Sequence, residues 1–462
     1  MIEAISTLTN ANLTRSPAWQ ASFSIDGKYL AACFGNPDTH VKIWKCCNKS
    51  NKRRIIPEGD ADKVVSSSTS GGRDGEEELE EWILLATIQQ EGVGHTRSIR
   101  SVAFAPTSIS YDVVPILATA SFDGKVLIWE YCNDDDDDQN NIVKDAISST
   151  GISNNNDDYQ QSSLSCFEPI AQLEGHDNEI KDLAWNTTGS LLASCGRDKS
   201  IWIWECFLPG TIGGATSSAS SNVVDDGEAF ECLAVLQGHD GDIKSIAFGP
   251  SHSQFGEGEE ILISASYDNT IKVWAEEAGD WYCALTLGGD IDVPRSITPR
   301  SSGGKVHTST VWCVSFAPGG VRFFSGSDDG SIAIWKLYTA TERKKSFPNE
   351  QVVSSTDGLW KCVGRLPDAH SSYAVYSIDC APTRAGHGRI ASAGGDNSIN
   401  IYREESVAGG NVCLDAPKFS LEDVTADAHD GDVNCIKWHP RDGRCLVSCG
   451  DDGAVKLWRY KR

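Results

Sequence analysis

Ser264-Ala265-Ser266-Tyr267-Asp268-Asn269-Thr270-Ile271-Lys272-Val273-Trp274 decides the fold. The run up to Ser266 reads as a strand, Asp268 marks a tight turn, and apolar residues alternate after it as a second strand with one face turned to a core. His239 stands upstream, and the set recurs. Six times a His is followed 28 to 35 residues later by a Trp or Tyr that stands six residues after an Asp. The sets are His95, Asp123 and Trp129; His176, Asp198 and Trp204; His239, Asp268 and Trp274; His307, Asp329 and Trp335; His370, Asp396 and Tyr402; and His429, Asp452 and Trp458. A hydroxyl residue stands four places before each of these Asp residues: Thr119, Ser194, Ser264, Ser325, Ser392 and Ser448. A seventh copy, ending at Asp38 and Trp44, keeps the Asp-to-Trp spacing without a His. Self-similarity at this period means units that bury their faces only against neighbours.

The copies resemble WD repeats, and the resemblance implies an all-β, seven-bladed WD40 β-propeller in which each copy is one four-stranded blade. In that family the His, the hydroxyl, the Asp and the Trp form one buried hydrogen-bonded chain, as buried polar groups require partners. A His, Ser and Asp set also resembles a hydrolase triad, but six copies in one register read as a scaffold device, so no catalytic residue is expected.

One propeller accounts for nearly all of residues 1–462, with blades at about 15–92, 93–173, 174–236, 237–288, 305–367, 368–427 and 428–462. The last copy has three strands, whereas residues 3–9 form an extra strand before Trp19, so the N-terminal strand is expected to pair into the last blade and close the ring. Insertions at 48–80, 132–165, 207–228 and 336–358 each follow a third strand and open on one face; rich in Ser, Asn, Asp and Gly, they are expected to be largely disordered.

The formal charge of −25 sits heavily in these insertions, including the run Asp134 to Asp138, and it argues against duplex DNA as a partner. The start, Met1 to Ser6, has no basic segment before a long apolar run, and no transmembrane stretch is found, so the expected location is the cytosol, with the nucleus as a second site. None of the 16 Cys forms a C-x-x-C pair. Cys445 and Cys449 fall on one strand, roughly 13 Å apart, and Cys33, Cys195, Cys313, Cys380 and Cys435 lie in apolar strand patterns, so reduced buried thiols are expected and no metal or cofactor.

The face opposite the insertions carries two rings around the channel. The residue before each structural Asp gives Pro37, Phe122, Arg197, Tyr267, Asp328, Gly395 and Asp451; the residue entering each inner strand gives Trp19, Arg100, Lys181, Lys244, Trp312, Tyr376 and Asn434. Five aromatics and, on blades two to four, four cations stand among them. Exposed aromatics beside Arg resemble interface hot spots. The expected partner-binding set is therefore Arg197, Lys181, Arg100, Lys244, Phe122, Tyr267, Trp312, Tyr376 and Trp19, a basic and aromatic arc suited to an acidic segment of a partner.

The string Leu173-Glu174-Gly175-His176-Asp177-Asn178-Glu179-Ile180-Lys181-Asp182-Leu183-Ala184-Trp185, continued by Gly196-Arg197-Asp198-Lys199-Ser200-Ile201-Trp202-Ile203-Trp204-Glu205, closely resembles the third blade of the cytosolic iron-sulfur protein assembly WD-repeat family. Asp280 to Cys283 leading to Ser309 to Trp312, and Ala428 to Cys435 leading to Trp458-Arg459-Tyr460, are similar to it too. The resemblance implies a non-catalytic scaffold of a targeting complex that docks apo-proteins for [4Fe-4S] insertion, with a MIP18-type small protein and a HEAT-repeat protein as partners and no direct contact with nucleic acid or membrane. It also implies that the arginine at Arg197 is exposed and functional; the alternative is a guanidinium bracing the turn at Asp198. A different WD-repeat adaptor, chromatin-associated or a ubiquitin-ligase receptor, is the competing function. Three departures stand out: Gly196 where the family often has Ser, Tyr402 in place of the sixth Trp, and Phe34-Gly35-Asn36-Pro37 before Asp38. The last two are expected to weaken two hydrogen-bonded chains. The segment 288–306 lengthens the entry to blade five on the ring face and is expected to shield or extend the surface near Trp312.

Overall fold

The computed structural model describes residues 2–9, 16–47, 81–89, 94–106, 115–132, 166–207, 229–249, 260–288, 305–339, 341–342, 345, 359–382, 388–406 and 415–460. These hold 28 strands in seven four-stranded antiparallel sheets. Strand β1 is Ile2–Thr7. Blade 1 is Ala18–Phe23, Tyr29–Phe34, His40–Cys47 and Glu81–Gln89 (β2 to β5), and blade 2 is Ile99–Phe104, Leu117–Ser121, Lys125–Cys132 and Cys166–Glu174 (β6 to β9). Blade 3 is Ile180–Trp185, Leu191–Gly196, Ser200–Cys206 and Phe230–Gln237 (β10 to β13); blade 4 is Ile243–Phe248, Ile261–Ser266, Ile271–Glu277 and Asp280–Leu287 (β14 to β17). Blade 5 is Val311–Phe316, Arg322–Ser327, Ile332–Tyr338 and Leu359–Leu366 (β18 to β21); blade 6 is Val375–Cys380, Arg389–Gly394, Ile399–Glu404 and Phe419–Thr425 (β22 to β25). Blade 7 is Val433–Trp438, Cys445–Gly450 and Val455–Tyr460 (β26 to β28), with β1 as its outer strand. The fold is a seven-bladed β-propeller.

The pairing of β1 with β28 runs from Ile2 opposite Tyr460 to Thr7 opposite Lys456. Beyond it, Thr9 Oγ1 donates to Gly453 O at 3.0 Å and accepts from Val455 N at 3.0 Å. First and last segments thus share one sheet, as expected from the missing fourth strand.

Among the described residues, seven apolar clusters fill the seams between blades, one in each. Trp335 and Phe323 of blade 5, for example, pack with Ile261, Ile263 and Val273 of blade 4, and Val447 and Leu457 of blade 7 with Leu30 and Trp44 of blade 1. Middle strands bury both faces, as β3 does over its whole length, since each blade is covered on two sides by its neighbours. Outer strands such as β13 are mostly exposed. Among the described residues, no helix is long and apolar enough to cross a membrane.

The insertion expected at 336–358 needs correction at its start: β20 continues through Lys336 to Tyr338, and Lys336 is buried with its Nζ 2.7 Å from Asp415 and 3.3 Å from Glu342. Cys132 likewise ends β8 rather than opening a loop. Residues 48–80, 133–165, 208–228, 289–304 and most of 340–358 lie outside the described residues, and with them the expectations made for the insertions and for the 288–306 segment.

Candidate partner-docking surface around the channel mouth

The repeated polar residues meet inside the blades. In blade 4, Trp274 Nε1 donates to Ser264 Oγ at 2.9 Å, Ser264 Oγ lies 2.7 Å from His239 Nε2, and His239 Nδ1 lies 2.7 Å from Asp268. Because the ionised carboxylate can only accept, the imidazole carries a proton on Nδ1 facing it; in the neutral ring Nε2 then accepts the serine hydroxyl, whose oxygen accepts the indole N–H. The same chain joins Trp129, Thr119, His95 and Asp123 in blade 2, Trp204, Ser194, His176 and Asp198 in blade 3, and Trp458, Ser448, His429 and Asp452 in blade 7. In blade 5, Trp335, Ser325 and His307 are joined, but His307 Nδ1 stands 3.5 Å from Asp329, whose carboxylate is shared with Arg365 at 3.2 Å.

The two departures take different courses. In blade 6, His370 keeps Ser392 at 2.7 Å and Asp396 at 2.8 Å, while the Tyr402 hydroxyl bypasses the serine and donates to Ala369 O at 2.8 Å. In blade 1 the hydroxyl place is filled by Phe34, and His40, two residues past Asp38, stacks on its ring at 4.3 Å and bonds Asp38 O at 2.7 Å. Burial works to raise each structural carboxyl, and hydrogen bonds and charge from its His outweigh it: Asp123, Asp198, Asp268, Asp329 and Asp452 are held below the ordinary carboxylate range and Asp396 at about 2. The residue after each of the six Asp has positive φ: Gly124, Lys199, Asn269, Gly330, Asn397 and Gly453. The turn aims the preceding residue outward, onto the face that carries the rings.

Inner strands supply the second ring through a shared irregularity. Each pairs with its neighbour with a one-residue shift, and the residue skipped is Trp19, Arg100, Lys181, Lys244, Trp312, Tyr376 or Asn434. Bulges of this kind re-aim a side chain, and all seven line a cavity of about 410 Å³ at the central channel. Of the first ring, Arg197, Tyr267, Asp328, Asp451 and Pro37 are exposed and Phe122 and Gly395 half-buried.

Rings and cations interlock around the mouth. Arg100 lies over Trp19 at 4.8 Å, Lys181 over Phe122 at 4.1 Å, and Lys244 between Trp312 at 5.1 Å and Tyr267 at 5.6 Å. Trp312 meets Tyr376 edge-on at 5.3 Å. Desolvation, opposed by Glu179, pulls Lys181 below the ordinary lysine value, and Lys244 and Arg100 add to that pull. On blades 5 to 7 the mouth turns acidic: burial, then Asp432, Asp328 and Asp451, push the Tyr376 phenol up to about 12.

Two acidic residues missing from the expected set organise the cations. Lys244 pairs with Asp242 at 3.1 Å. Glu179 takes Lys181 and Arg97 at 2.8 Å each and Arg197 at 3.6 Å, while the neighbouring Asp198 carboxylate is occupied by His176, Asp177 N and Ser200. The signal was present in sequence, as Glu179-Ile180-Lys181 and Asp242-Ile243-Lys244 share one pattern at equivalent places. Gly196 fits the same corner: a Cβ there would stand 2.6 Å from Glu179 O, which accepts Arg197 N at 2.8 Å.

Burial pushes the Cys33 and Cys313 thiols up to about 12, far from thiolate. Among the described residues, no three His, Cys, Asp or Glu side chains are grouped to hold a metal ion.

The family model for the WD domain, G-beta repeat, matches residues 85–130, 167–205, 230–275, 302–336 and 422–459. The chain is 33% identical over 436 residues to the probable cytosolic iron-sulfur protein assembly protein 1 of Chaetomium globosum, covering 82% of this chain and 87% of that one. It is 33% identical to the protein of the same name from Debaryomyces hansenii, over 81% and 87% of the two chains, and 32% identical to that of Meyerozyma guilliermondii, over 91% and 97%. Identity at this level across nearly the full length of both chains, on a ring of seven WD blades, places this chain in the cytosolic iron-sulfur protein assembly protein 1 family.

Proposed function

We propose that the protein is a non-catalytic scaffold of cytosolic iron-sulfur protein assembly that docks an acidic partner segment on the ring face at blades two to four. The names of its relatives carry the process. The observation that carries the site is the run of cation and ring pairs from Trp19 and Arg100 through Phe122 and Lys181 to Lys244 and Trp312, with Arg197 exposed beside them. The chain as a whole carries a formal −25, so this arc is a local exception that steers an anionic segment to one place. Large rings give contact area at low entropic cost, and guanidinium and ammonium groups supply charge-assisted hydrogen bonds.

Catalysis by the His, Ser and Asp sets is disfavoured on physical grounds. Each serine or threonine oxygen is fully buried, and in five of the six sets it already holds a tryptophan N–H. A nucleophile there has no room for substrate. The partners assigned by this reading are a MIP18-type small protein, a HEAT-repeat protein and apo iron-sulfur clients, in the cytosol and also the nucleus; the cluster is cargo.

Affinity purification of the tagged protein beside Arg197→Glu, with circular dichroism to establish folding, tests the reading. Wild type is expected to recover a MIP18-type protein and a HEAT-repeat protein, and the charge reversal to lose partners or clients by about tenfold or more. Recovery of neither by wild type would overturn the assignment.

A further inference from the structure

We infer that Glu179 is the positioning residue of this docking surface and that Arg97 belongs to it. The inference rests on the docking reading above and names the residues that shape its charge. Glu179 enters from the turn ahead of β10, and its side chain is only 12% exposed. Its carboxylate holds Arg97 from blade 2 and Lys181 from blade 3 at 2.8 Å, with Arg197 of blade 3 at 3.6 Å. Arg97 also donates to Phe122 O at 2.6 Å and lies over the Phe122 ring at 5.9 Å, so the one carboxylate ties the ring-face loops of two blades together.

Three cations this close repel one another and, on a body this acidic, would otherwise turn to other carboxylates or to solvent. One anion among three leaves a surplus of two positive charges, gathered in a fixed geometry. Both arginine side chains remain about half exposed, 52% for Arg97 and 55% for Arg197. Glu179 is therefore the anion that holds the cations, and the surplus is what an incoming acidic segment meets. Burial works to raise the Glu179 carboxyl, but hydrogen bonds from Lys181 and Arg97 outweigh it and keep it below the ordinary range, hence charged at neutral pH. The main-chain bond from Arg197 N to Glu179 O, made possible by Gly196, fixes the same corner from the backbone side.

Glu179→Gln separates positioning from charge. The neutral amide keeps the shape and one acceptor oxygen while releasing the cations. Capture of partner proteins by the tagged variant is expected to fall about tenfold against wild type. Retention on an immobilised poly-glutamate probe is expected to hold or rise, because the local surplus grows from two charges to three. Partner capture that stays unchanged in Glu179→Gln while Arg197→Glu abolishes it would overturn the positioning role and leave the docking site standing. Poly-glutamate retention that falls in parallel with capture would overturn it too, as the cations would then be lost rather than misplaced. Capture indifferent to both substitutions would overturn the docking reading and this inference with it. Should Glu179→Gln fail to fold by circular dichroism, Arg97→Gln carries the test: a several-fold loss of capture supports the shared cluster, and full capture overturns it.

Discussion

Ser264 and Ser392 hold equivalent places in two blades, yet they carry different loads. Ser264 receives the Trp274 indole N–H and gives its own hydrogen to His239. Ser392 serves His370, while Tyr402 takes its hydrogen bond to Ala369 O. Replacing Ser264 by Ala strands two buried groups and is expected to cost about 3 kcal/mol; Ser392→Ala strands one and should cost about half of that. Comparison of urea midpoints for the two variants checks the difference, and equal losses would mean that Tyr402 or a rearranged neighbour compensates in blade 6. The identities of these residues were legible from spacing, and their meeting from the resemblance to WD repeats. What spacing could not reveal was the Tyr402 detour, since a phenol reaches further than an indole and finds a carbonyl the tryptophan passes by.

Strand β1 shows how an element far from the others in sequence completes a blade. Its register with β28 and the bonds of Thr9 to Gly453 and Val455 seat it as the outer strand of the seventh blade, and the Ile2 amide donating to the Asp423 carboxylate ties it to the sixth. Deleting residues 2–9 would leave the edge of β28 unpaired and Ile2 missing from the seam it shares with Trp438 and Trp458. The melting temperature is expected to fall by on the order of 5–10 °C, with concentration-dependent association through the freed edge. Calorimetry and size-exclusion chromatography over a range of concentrations read both effects. The inner-strand bulges act in the opposite direction, opening each ladder by one residue so that seven side chains face the mouth. Chain position marked those seven residues; the bulge that turns them there is a property of the paired strands.

Ring closure is reinforced by polar bonds that run from blade to blade inside the channel. Gln20 Oε1 accepts Val102 N at 2.7 Å, Ser101 Oγ accepts Leu183 N at 3.1 Å, and Asp182 accepts Ile246 N at 3.1 Å, carrying the series from blade 1 to blade 4. Ser377 and Asp379 likewise accept from Ile436 and Trp438 of blade 7, and Asn434 donates to Ala18 O of blade 1. Stability of the ring should depend on acid in a defined window. The six structural Asp carboxyls have folded values below an unfolded value near ~3.9, so their contribution is complete above that value and is lost as pH falls toward their folded values. Asp379 and Asp432, raised by burial, work the other way. The melting temperature is expected to be nearly level from pH 7 to about pH 5 and to drop steeply below about pH 4; Asp268→Asn, less stable at neutral pH, should drop less. Scanning calorimetry in buffers across this range checks the slope.

The recurrence of His, hydroxyl, Asp and Trp or Tyr in six copies, with the Asp38-to-Trp44 spacing of a seventh, was enough to specify seven blades, because each full set is a buried chain that no single residue can satisfy alone and each blade must cover its neighbour. The same register placed Arg197, the ring aromatics and the lysines on one face. The grouping of charge there was decided only in three dimensions. Arg97 and Glu179 stand 82 positions apart and come together because adjacent blades bring their turns side by side, and Gln20 of blade 1 reaches Asp182 of blade 3 across 162 positions because the inner strands converge on the channel. A sequence read along one chain counts cations and carboxylates by position. Which cation a carboxylate holds depends on distances across a seam, and those exist only once the ring has closed.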